Sequence, residues 1–113
     1  MHELNVLMEV VDQVETMATE QKIEKVAAIV LEIGELSSVV PHFMEEYYPL
    51  IVENKECLKD SKLVIERIPG EARCTNCDEI YNVVQNDGFC PLCGRFEKEV
   101  LQGREFMIKE IWV

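Results

Sequence analysis

The sequence predicts an α+β fold in which a three-stranded sheet carries two helices and a small domain is inserted before the last strand. Three observations support this prediction. One long segment has the apolar periodicity of an amphipathic helix, three short segments are rich in β-branched or alternating apolar residues, and two C-x-x-C pairs lie between the second and third of those segments. A chain of 113 residues, 48% of them hydrophobic, is long enough for one ordinary domain with a small addition.

The first helix is predicted over residues 3–18, where apolar residues recur at steps of three and four. Pro41 suits the first turn of a second helix, because the N–H that proline lacks is not needed there. Pro49 lies inside the apolar pattern of this second helix, so we expect it to kink or split the helix. The apolar stripe of the first helix comprises Leu4, Leu7, Met8, Val11, Val14 and Ala18, and the buried side of the second comprises Phe43, Met44, Tyr47, Leu50 and Ile51.

Three strands are predicted from short apolar segments. Residues 26–33 are almost continuously apolar and end at Gly34, which is typical of a strand covered on both faces. Residues 63–68 form the second strand, and residues 104–113 alternate well enough to form the third. In this third strand Phe106, Ile108 and Trp112 are expected on one face, and Met107, Ile111 and Val113 on the other.

The order of these elements divides the chain into two domains. Residues 1–69 with 104–113 are predicted to form a discontinuous α/β domain, and residues 70–103 the inserted domain. The inserted segment contains four of the five cysteines and too few large apolar residues for a core of its own. We therefore expect a bound metal ion to supply the stability that such a small core cannot.

The charge balance excludes two classes of partner. Eleven Lys and Arg against 22 Asp and Glu give a formal net charge of −11, whereas binding to a phosphate backbone requires a basic face. We therefore expect neither nucleic acid nor an anionic membrane surface as a partner. The longest apolar run is much shorter than the roughly 20 residues of a membrane span, and the N-terminus does not resemble a secretory signal, so a cytoplasmic location is predicted.

The four cysteines of the inserted domain form two C-x-x-C pairs separated by twelve residues. A tight turn in each pair aims both sulfurs at one ion, and two such turns complete a tetrahedron with metal–sulfur distances of about 2.3 Å. The turn-forming sequence Asn86-Asp-Gly88 lies between the pairs, so residues 80–84 can pair back as a short hairpin arm. The pattern predicts a closed, structural, zinc-ribbon-like site formed by Cys74, Cys77, Cys90 and Cys93.

Two alternatives to structural zinc remain open at this point. Four thiolates also accept iron, and the segment Cys90-Pro-Leu-Cys93-Gly94 resembles the second knuckle of a rubredoxin, an iron electron carrier. A zinc-ribbon adaptor that acts only through protein contacts is the other alternative. Cys57 lies between the second helix and the second strand, and we expect it to be a buried free thiol rather than a ligand.

The first three residues, Met1-His2-Glu3, form a second candidate metal site. Removal of the initiator methionine requires a small second residue, so Met1 is expected to keep a free α-amine. That amine, the backbone nitrogen of His2 and its near ring nitrogen can close five- and six-membered chelate rings, a nitrogen-rich set that favours nickel(II) or copper(II). The alternative is an N-terminus without metal in which Glu3 only favours the helix dipole. The other histidine, His42, is expected to be an exposed side chain.

Three features together resemble one family, the HypA/HybF nickel metallochaperones of hydrogenase maturation. They are Met1-His2-Glu3, the strand end Ile33-Gly34-Glu35-Leu36-Ser37 and the C-x-x-C pairs before the terminal strand, and the similarity extends over essentially the whole chain. The resemblance implies a nickel-binding α/β domain with nickel held by Met1 and His2, Glu3 acting in binding or transfer, and zinc held by the four cysteines. Some relatives have a histidine beside a zinc knuckle, whereas Asp78 and Gly94 follow the pairs here, so no switch in zinc coordination is expected.

The same resemblance implies a function. Members of this family deliver nickel, together with a partner GTPase, to the hydrogenase large-subunit precursor, and in some organisms to urease. We therefore expect a nickel metallochaperone with a structural Zn(II) and with Ni(II) as its transferred cargo, either monomeric or weakly dimeric. An enzyme is not expected, because the sequence offers no recognisable nucleophile–base pair, phosphate-binding loop or open metal site.

Overall fold

The computed structural model describes residues 3–113, which form an α+β fold. The predicted fold class is therefore confirmed. Within residues 3–113, no helix combines the length and the hydrophobicity that a membrane crossing requires. The helices are α1 (Glu3–Glu20) and α2 (Pro41–Val52), and the strands are β1 (Ala28–Gly34), β2 (Lys62–Ile68), β3 (Glu71–Cys74), β4 (Ile80–Asn82), β5 (Lys98–Gln102) and β6 (Phe106–Trp112).

Two three-stranded sheets organise the chain. The first has the strand order β2-β1-β6, and its central strand β1 is buried along almost its whole length, as expected for a strand covered on both faces. The second has the order β4-β3-β5, with both pairings antiparallel. β5 has no counterpart among the predicted strands, because its sequence Lys-Glu-Val-Leu-Gln is short and mostly polar.

The described residues fall into two compact units. Unit 1 contains the residues up to Leu31, together with Ser38–Glu66 and Met107–Val113, and unit 2 contains Glu32–Ser37 and Arg67–Phe106. Unit 1 therefore includes both helices, and unit 2 includes the second sheet and all four cysteines of the C-x-x-C pairs. The predicted division into a domain of residues 1–69 with 104–113 and an inserted domain of residues 70–103 stays a prediction.

The buried face of α1 differs from the predicted stripe. Leu4 and Met8 are 38% and 47% exposed, whereas Val10 is buried. The buried positions recur every three or four residues as predicted, but α1 is rotated so that the side facing α2 and the core is centred closer to Val10. The buried residues of α1 are Glu3, Leu7, Val10, Val11, Val14 and Ala18.

The buried face of α2 also corrects the prediction. Met44, Tyr48 and Val52 recur at four-residue steps and are buried, while Phe43 and Leu50 are exposed. Pro49 does not split α2, which continues through it to its end. The physical reason is its position: a proline in the last turn removes only one backbone hydrogen bond and has little helix left to disrupt.

The burial pattern of β6 changes along the strand. Phe106 and Ile108 are half-buried and Met107 is exposed, as the alternation predicts. Lys109 and Glu110 are then both exposed, Ile111 is half-buried and Trp112 is exposed. Trp112 is therefore not buried with Phe106 and Ile108, and its Nε1 donates instead to the Glu110 carboxylate (2.6 Å).

The end of β1 is held in unit 2 by close backbone contacts. The N–H of Gly34 donates to the Glu105 carbonyl (2.8 Å), and the N–H of Leu36 donates to the Gly103 carbonyl (2.7 Å). A Cβ at Gly34 would lie 1.9 Å from the Gly103 carbonyl oxygen, so only glycine fits there. The segment Ile33–Ser37, which carries part of the family resemblance, therefore has a structural role in this unit.

Glu35 joins this same segment to the second sheet. Its Oε1 accepts a hydrogen bond from the backbone N–H of Gly70 (2.8 Å) and another from the side-chain amide of Asn82 (3.2 Å). These two bonds, the backbone one above all, lower the pKa of Glu35. The ionised carboxylate therefore stabilises the start of the unit that carries the cysteines.

Candidate metal centre

The two C-x-x-C loops have the same backbone hydrogen-bond pattern. In the first loop the N–H of Asp78 donates to the Cys74 carbonyl (2.9 Å), and in the second the N–H of Gly94 donates to the Cys90 carbonyl (2.8 Å). Asp78 and Gly94 both have positive φ angles, 64° and 78°. Glycine reaches this region without strain, and aspartate tolerates it better than most residues do. Each loop therefore turns tightly enough to bring its two sulfurs together.

The second sheet carries the first of the two loops between its strands β3 and β4. Cys74 is the last residue of β3, so the first loop leaves directly from the central strand of that sheet. β4 returns from the first loop and pairs with β3, with Ala72 opposite Tyr81. The arm predicted at residues 80–84 is observed as the shorter strand Ile80–Asn82, but it pairs with β3 across the first C-x-x-C loop and not across the Asn86–Gly88 turn.

The four sulfurs form one compact cluster. The Sγ atoms of Cys74 and Cys93 are 3.5 Å apart, those of Cys77 and Cys90 are 3.6 Å apart, and all four lie within 4.8 Å of one another. A tetrahedral ion with metal–sulfur bonds of about 2.3 Å requires sulfur–sulfur edges of about 3.8 Å. The cluster therefore fits a single tetrahedral metal ion, with each short distance joining one sulfur from each loop.

Backbone amides stabilise negative charge on two of these sulfurs. The N–H of Cys77, at the other end of the same loop, hydrogen-bonds to the Cys74 sulfur and lowers the pKa of that thiol to about 7. Burial raises the pKa of Cys90, but the N–H of Cys93 and a neighbouring amide outweigh it, so that this pKa is also lowered. The loops therefore favour thiolates, the form of cysteine that binds metal ions.

The cluster cannot hold four negative charges by itself. The N–H of Glu79 favours the thiolate of Cys77, but burial and hydrogen bonds to Cys90, Cys74 and Cys93 together raise the pKa of Cys77 to about 12. Thiolates this close repel each other unless a cation lies between them, and a coordinated thiol is deprotonated outright. The site therefore has the chemistry of a metal centre, and its four protein donors fill a tetrahedron and leave no position for a substrate.

Two residues support the centre without contributing sulfur. Tyr81 is buried together with Ala72, Cys74 and Cys90 in a small cluster of their own. Arg73 joins the first loop to β5, because its guanidinium contacts Asp78 (2.6 Å) and Glu99 (2.8 Å). The alternation in β4 is the one sequence signal for Tyr81, and the role of Arg73 depends on β5, which the sequence pattern does not predict.

The second candidate site lies mostly outside the described residues. Met1 and His2, the two predicted nickel ligands at the N-terminus, precede the part of the chain that the structure describes. Glu3 is described: it is the first residue of α1 and is 4% exposed. Its Oε2 accepts a hydrogen bond from the backbone N–H of Val40 (3.0 Å).

The remaining candidate residues lie in unit 1. The side chain of His42 is 72% exposed, which confirms the prediction for this histidine, and its Nε2 is 3.4 Å from Glu46. Cys57 follows α2 as expected, but it is half-buried rather than buried, because it lies in the turns after the helix. Its carbonyl accepts a hydrogen bond from the N–H of Val26 (2.8 Å). Cys57 is not a member of the cysteine cluster that could hold an ion.

Comparison with known proteins identifies similar sequences over the full length of the chain. The family model described as "Hydrogenase/urease nickel incorporation, metallochaperone, hypA" matches residues 1–113. The hydrogenase maturation factor HypA of Geobacter metallireducens is 36% identical over 113 residues, which cover 100% of this chain and 99% of that protein. The HypA of Legionella pneumophila is 34% identical over the same length, with the same coverage of both chains.

Two solved structures have a similar fold. The solution structure of the Ni metallochaperone HypA from Helicobacter pylori matches with a TM-score of 0.66 and 23% identity, covering 99% of this chain and 97% of that one. A second solution structure of a HypA protein matches with a TM-score of 0.68 and 24% identity, covering 99% and 95% of the two chains. At these identities the two structures support the fold.

Proposed function

Because the chain belongs to the HypA family of hydrogenase and urease nickel-incorporation metallochaperones, we propose that it binds Ni(II) at its N-terminus and delivers it to a NiFe-hydrogenase large-subunit precursor. The observation that carries this proposal is the family match over residues 1–113, which includes the Met1-His2-Glu3 start. The names of the relatives, hydrogenase maturation factors, support hydrogenase as the enzyme served.

The nickel donors proposed are the α-amine of Met1, the backbone nitrogen of His2 and its near ring nitrogen, with Glu3 beside them. These nitrogens can surround one ion in a plane, which Ni(II) accepts more readily than Zn(II) does. Reference pKa values of about 7.7–8 for the amine and about 6.5 for histidine place their deprotonation near neutral pH. Acidification therefore weakens nickel binding, which suits a carrier that must release its ion.

The cysteine cluster is proposed to hold a structural Zn(II). Cys74, Cys77, Cys90 and Cys93 supply four sulfurs at distances that suit a tetrahedral ion. The zinc stabilises an inserted domain, residues 70–103, beside a nickel-binding domain made of residues 1–69 and 104–113. With no donor position open at this centre, we propose that the protein is not an enzyme.

The proposed partners follow from transfer by protein contact. A GTPase of hydrogenase maturation assists delivery, and the hydrogenase large-subunit precursor receives the nickel. The protein acts in the cytoplasm as a monomer or weak homodimer. Its net charge of −11 argues against nucleic acid or an anionic membrane as a partner.

Two N-terminal variants test the nickel site. His2→Ala removes the ring nitrogen, and one glycine added before Met1 moves the α-amine away from the chelate. Both changes are expected to abolish nickel binding in calorimetric titration while zinc content and far-UV circular dichroism stay at the wild-type level. His42→Ala is the matched control, because it removes the other histidine, which is exposed on α2.

The result that contradicts the proposal is unchanged nickel affinity in both N-terminal variants. Metal analysis of the same samples separates the alternatives. A red protein with iron at the four cysteines would be a rubredoxin-like electron carrier, and a zinc protein without stoichiometric nickel binding would be an adaptor.

A further inference from the structure

The strand β5 lies at an edge of the second sheet. It pairs with β3 on one side, and no strand within residues 3–113 pairs with its other side. Lys98 and Val100 are two positions apart in β5, so their side chains lie on the same face of the strand. Both line a groove of about 580 Å³, whose other lining residues are Thr75, Phe96, Glu97 and Arg104. An unpaired backbone edge and a groove therefore occur along one strand.

Phe96, which precedes β5, gives this groove an aromatic surface. Phe96 is 57% exposed. The ring of Phe89 meets it edge-on, with 5.6 Å between the ring centroids, and Lys98 Nζ lies 3.4 Å from its centroid. A ring that is held on two sides loses little conformational freedom when another molecule covers it. The exposed ring of Phe96 is therefore suited to contact with a partner.

The groove carries a net positive charge in a chain that is strongly acidic. Of its charged side chains, Lys98 and Arg104 are basic and Glu97 is acidic, whereas the whole chain has a net charge of −11. Within residues 3–113, neither Lys98 nor Arg104 forms an ion pair with a carboxylate. The two cations therefore remain available to the carboxylates of another molecule.

We propose that β5 is a docking site for a partner protein that adds an extended, acidic segment to this edge of the second sheet. In strand addition, main-chain hydrogen bonds supply affinity and alternate side chains supply specificity. The five residues of β5 span about 17 Å, so the added segment has about five residues. On the side of the groove, an acidic residue of the partner faces Lys98, an apolar residue faces Val100, and a second acidic residue reaches towards Arg104.

The probe is a synthetic peptide, acetyl-Thr-Glu-Thr-Val-Thr-Glu-Thr-amide, added to the zinc-loaded full chain. Its two glutamates and its valine alternate as the groove requires, and its sequence is the same in both directions, so it suits parallel or antiparallel pairing. In NMR spectra we expect amide chemical-shift changes centred on residues 98–102, with a Kd of about 0.1–1 mM.

Two control peptides separate charge from strand pairing. The first replaces both glutamates with lysine. The second replaces the two threonines beside the valine with proline, which cannot donate the backbone hydrogen bonds of a strand. Neither control is expected to shift the β5 amides at about 1 mM peptide.

Charge reversal in the protein tests the same contact. Lys98→Glu and Arg104→Glu are each expected to weaken binding of the acidic peptide at least about fivefold, because each replaces an attraction with a repulsion. Lys62→Glu is the matched control, since it makes the same change at an exposed lysine of β2, an edge strand of the first sheet. It is expected to change the Kd less than about twofold. Zinc content and far-UV circular dichroism show whether each variant is folded, and Arg104→Glu keeps the test decisive if Lys98→Glu does not fold.

Four results overturn the proposal: no shift of the β5 amides with the acidic peptide, shifts centred on unit 1, equal binding of the lysine peptide, or equal binding of the proline peptide. If the β5 amides of the protein alone shift on dilution from about 1 mM to about 50 µM, a second copy of this chain occupies the edge, which also overturns it. Nickel titration separates this proposal from the proposed function. A wild type that binds no nickel overturns the proposed function alone, because the peptide experiment does not involve nickel.

Discussion

A single methyl group added at Gly34 is expected to destabilise the unit that contains the metal centre. The new Cβ would lie 1.9 Å from the carbonyl oxygen of Gly103 and 2.2 Å from its carbonyl carbon. Both are backbone atoms, so no side-chain rotation can relieve the overlap. Ordinary contact at about 3.5 Å requires the two backbones to separate by about 1.6 Å.

That separation breaks identifiable interactions. The two hydrogen bonds that flank the contact, from Gly34 N–H to Glu105 (2.8 Å) and from Leu36 N–H to Gly103 (2.7 Å), are both stretched beyond hydrogen-bond distance by such a separation. Each backbone hydrogen bond contributes about 1 kcal/mol net, and the remaining overpacking costs about 1–3 kcal/mol. The expected loss for Gly34→Ala is therefore about 3–5 kcal/mol, which at about 4 °C per kcal/mol lowers the Tm by about 12–20 °C.

Thermal unfolding followed by circular dichroism, with zinc content as a second readout, measures this loss. Gly70→Ala is the matched control, because the three atoms nearest to its new Cβ all belong to the side chain of Leu36, the nearest at 2.6 Å. A leucine side chain can rotate away, so we expect a smaller loss of about 1–2 kcal/mol. A Tm for Gly34→Ala within a few degrees of the wild type, or above that of Gly70→Ala, would refute the assigned contact.

Three further predictions concern the metal centre, the core and the pH dependence. Cys74→Ser is expected to release the zinc and collapse the amide dispersion of unit 2 in NMR spectra, and retention of one zinc per chain contradicts the assignment. Leu7→Ala, at a position that is 0% exposed, is expected to cost about 2–5 kcal/mol in chemical unfolding. Leu4→Ala, at a position that is 38% exposed, is expected to cost less than about 1 kcal/mol, and equal losses would contradict the corrected stripe. Hydrogen bonds lower the pKa of Glu35, so its carboxylate stabilises the fold above its unfolded-state pKa of about 4.3, and this contribution is lost as the pH falls through the lower folded-state value. Glu35→Gln should therefore show a weaker fall in Tm on acidification than the wild type, and parallel curves would contradict this role.

The metal centre was the feature that the sequence predicted most directly. Two C-x-x-C pairs determine their own local turns, because the spacing, Asp78 and Gly94 all favour the required backbone. Helix and strand positions were also predictable, since apolar periodicity is a local signal. The sequence did not reveal which side of α1 faces the core. Its apolar residues allow two neighbouring faces to be the buried one, and only packing against the rest of the fold decides between them. Leu4 and Met8 are exposed for that reason.

Contacts between distant segments could not be predicted from the chain alone. The close approach of Gly34 to Gly103 and the contact of Glu3 with Val40 each join residues far apart in sequence. No local sequence pattern indicates either contact. From the sequence alone, Glu3 is simply an acidic residue in the first turn of a helix. β5 was missed for a related reason, because a short polar strand is formed by pairing with β3 rather than by its own composition.

The most direct test of the proposed function is nickel titration of the untagged protein with a free Met1, after metal analysis of the purified sample. The proposed function predicts one tightly held Zn(II) per chain and, in addition, one Ni(II) that binds reversibly and dissociates as the pH is lowered below about 6.5. A zinc-loaded protein that takes up no stoichiometric nickel at neutral pH would contradict it.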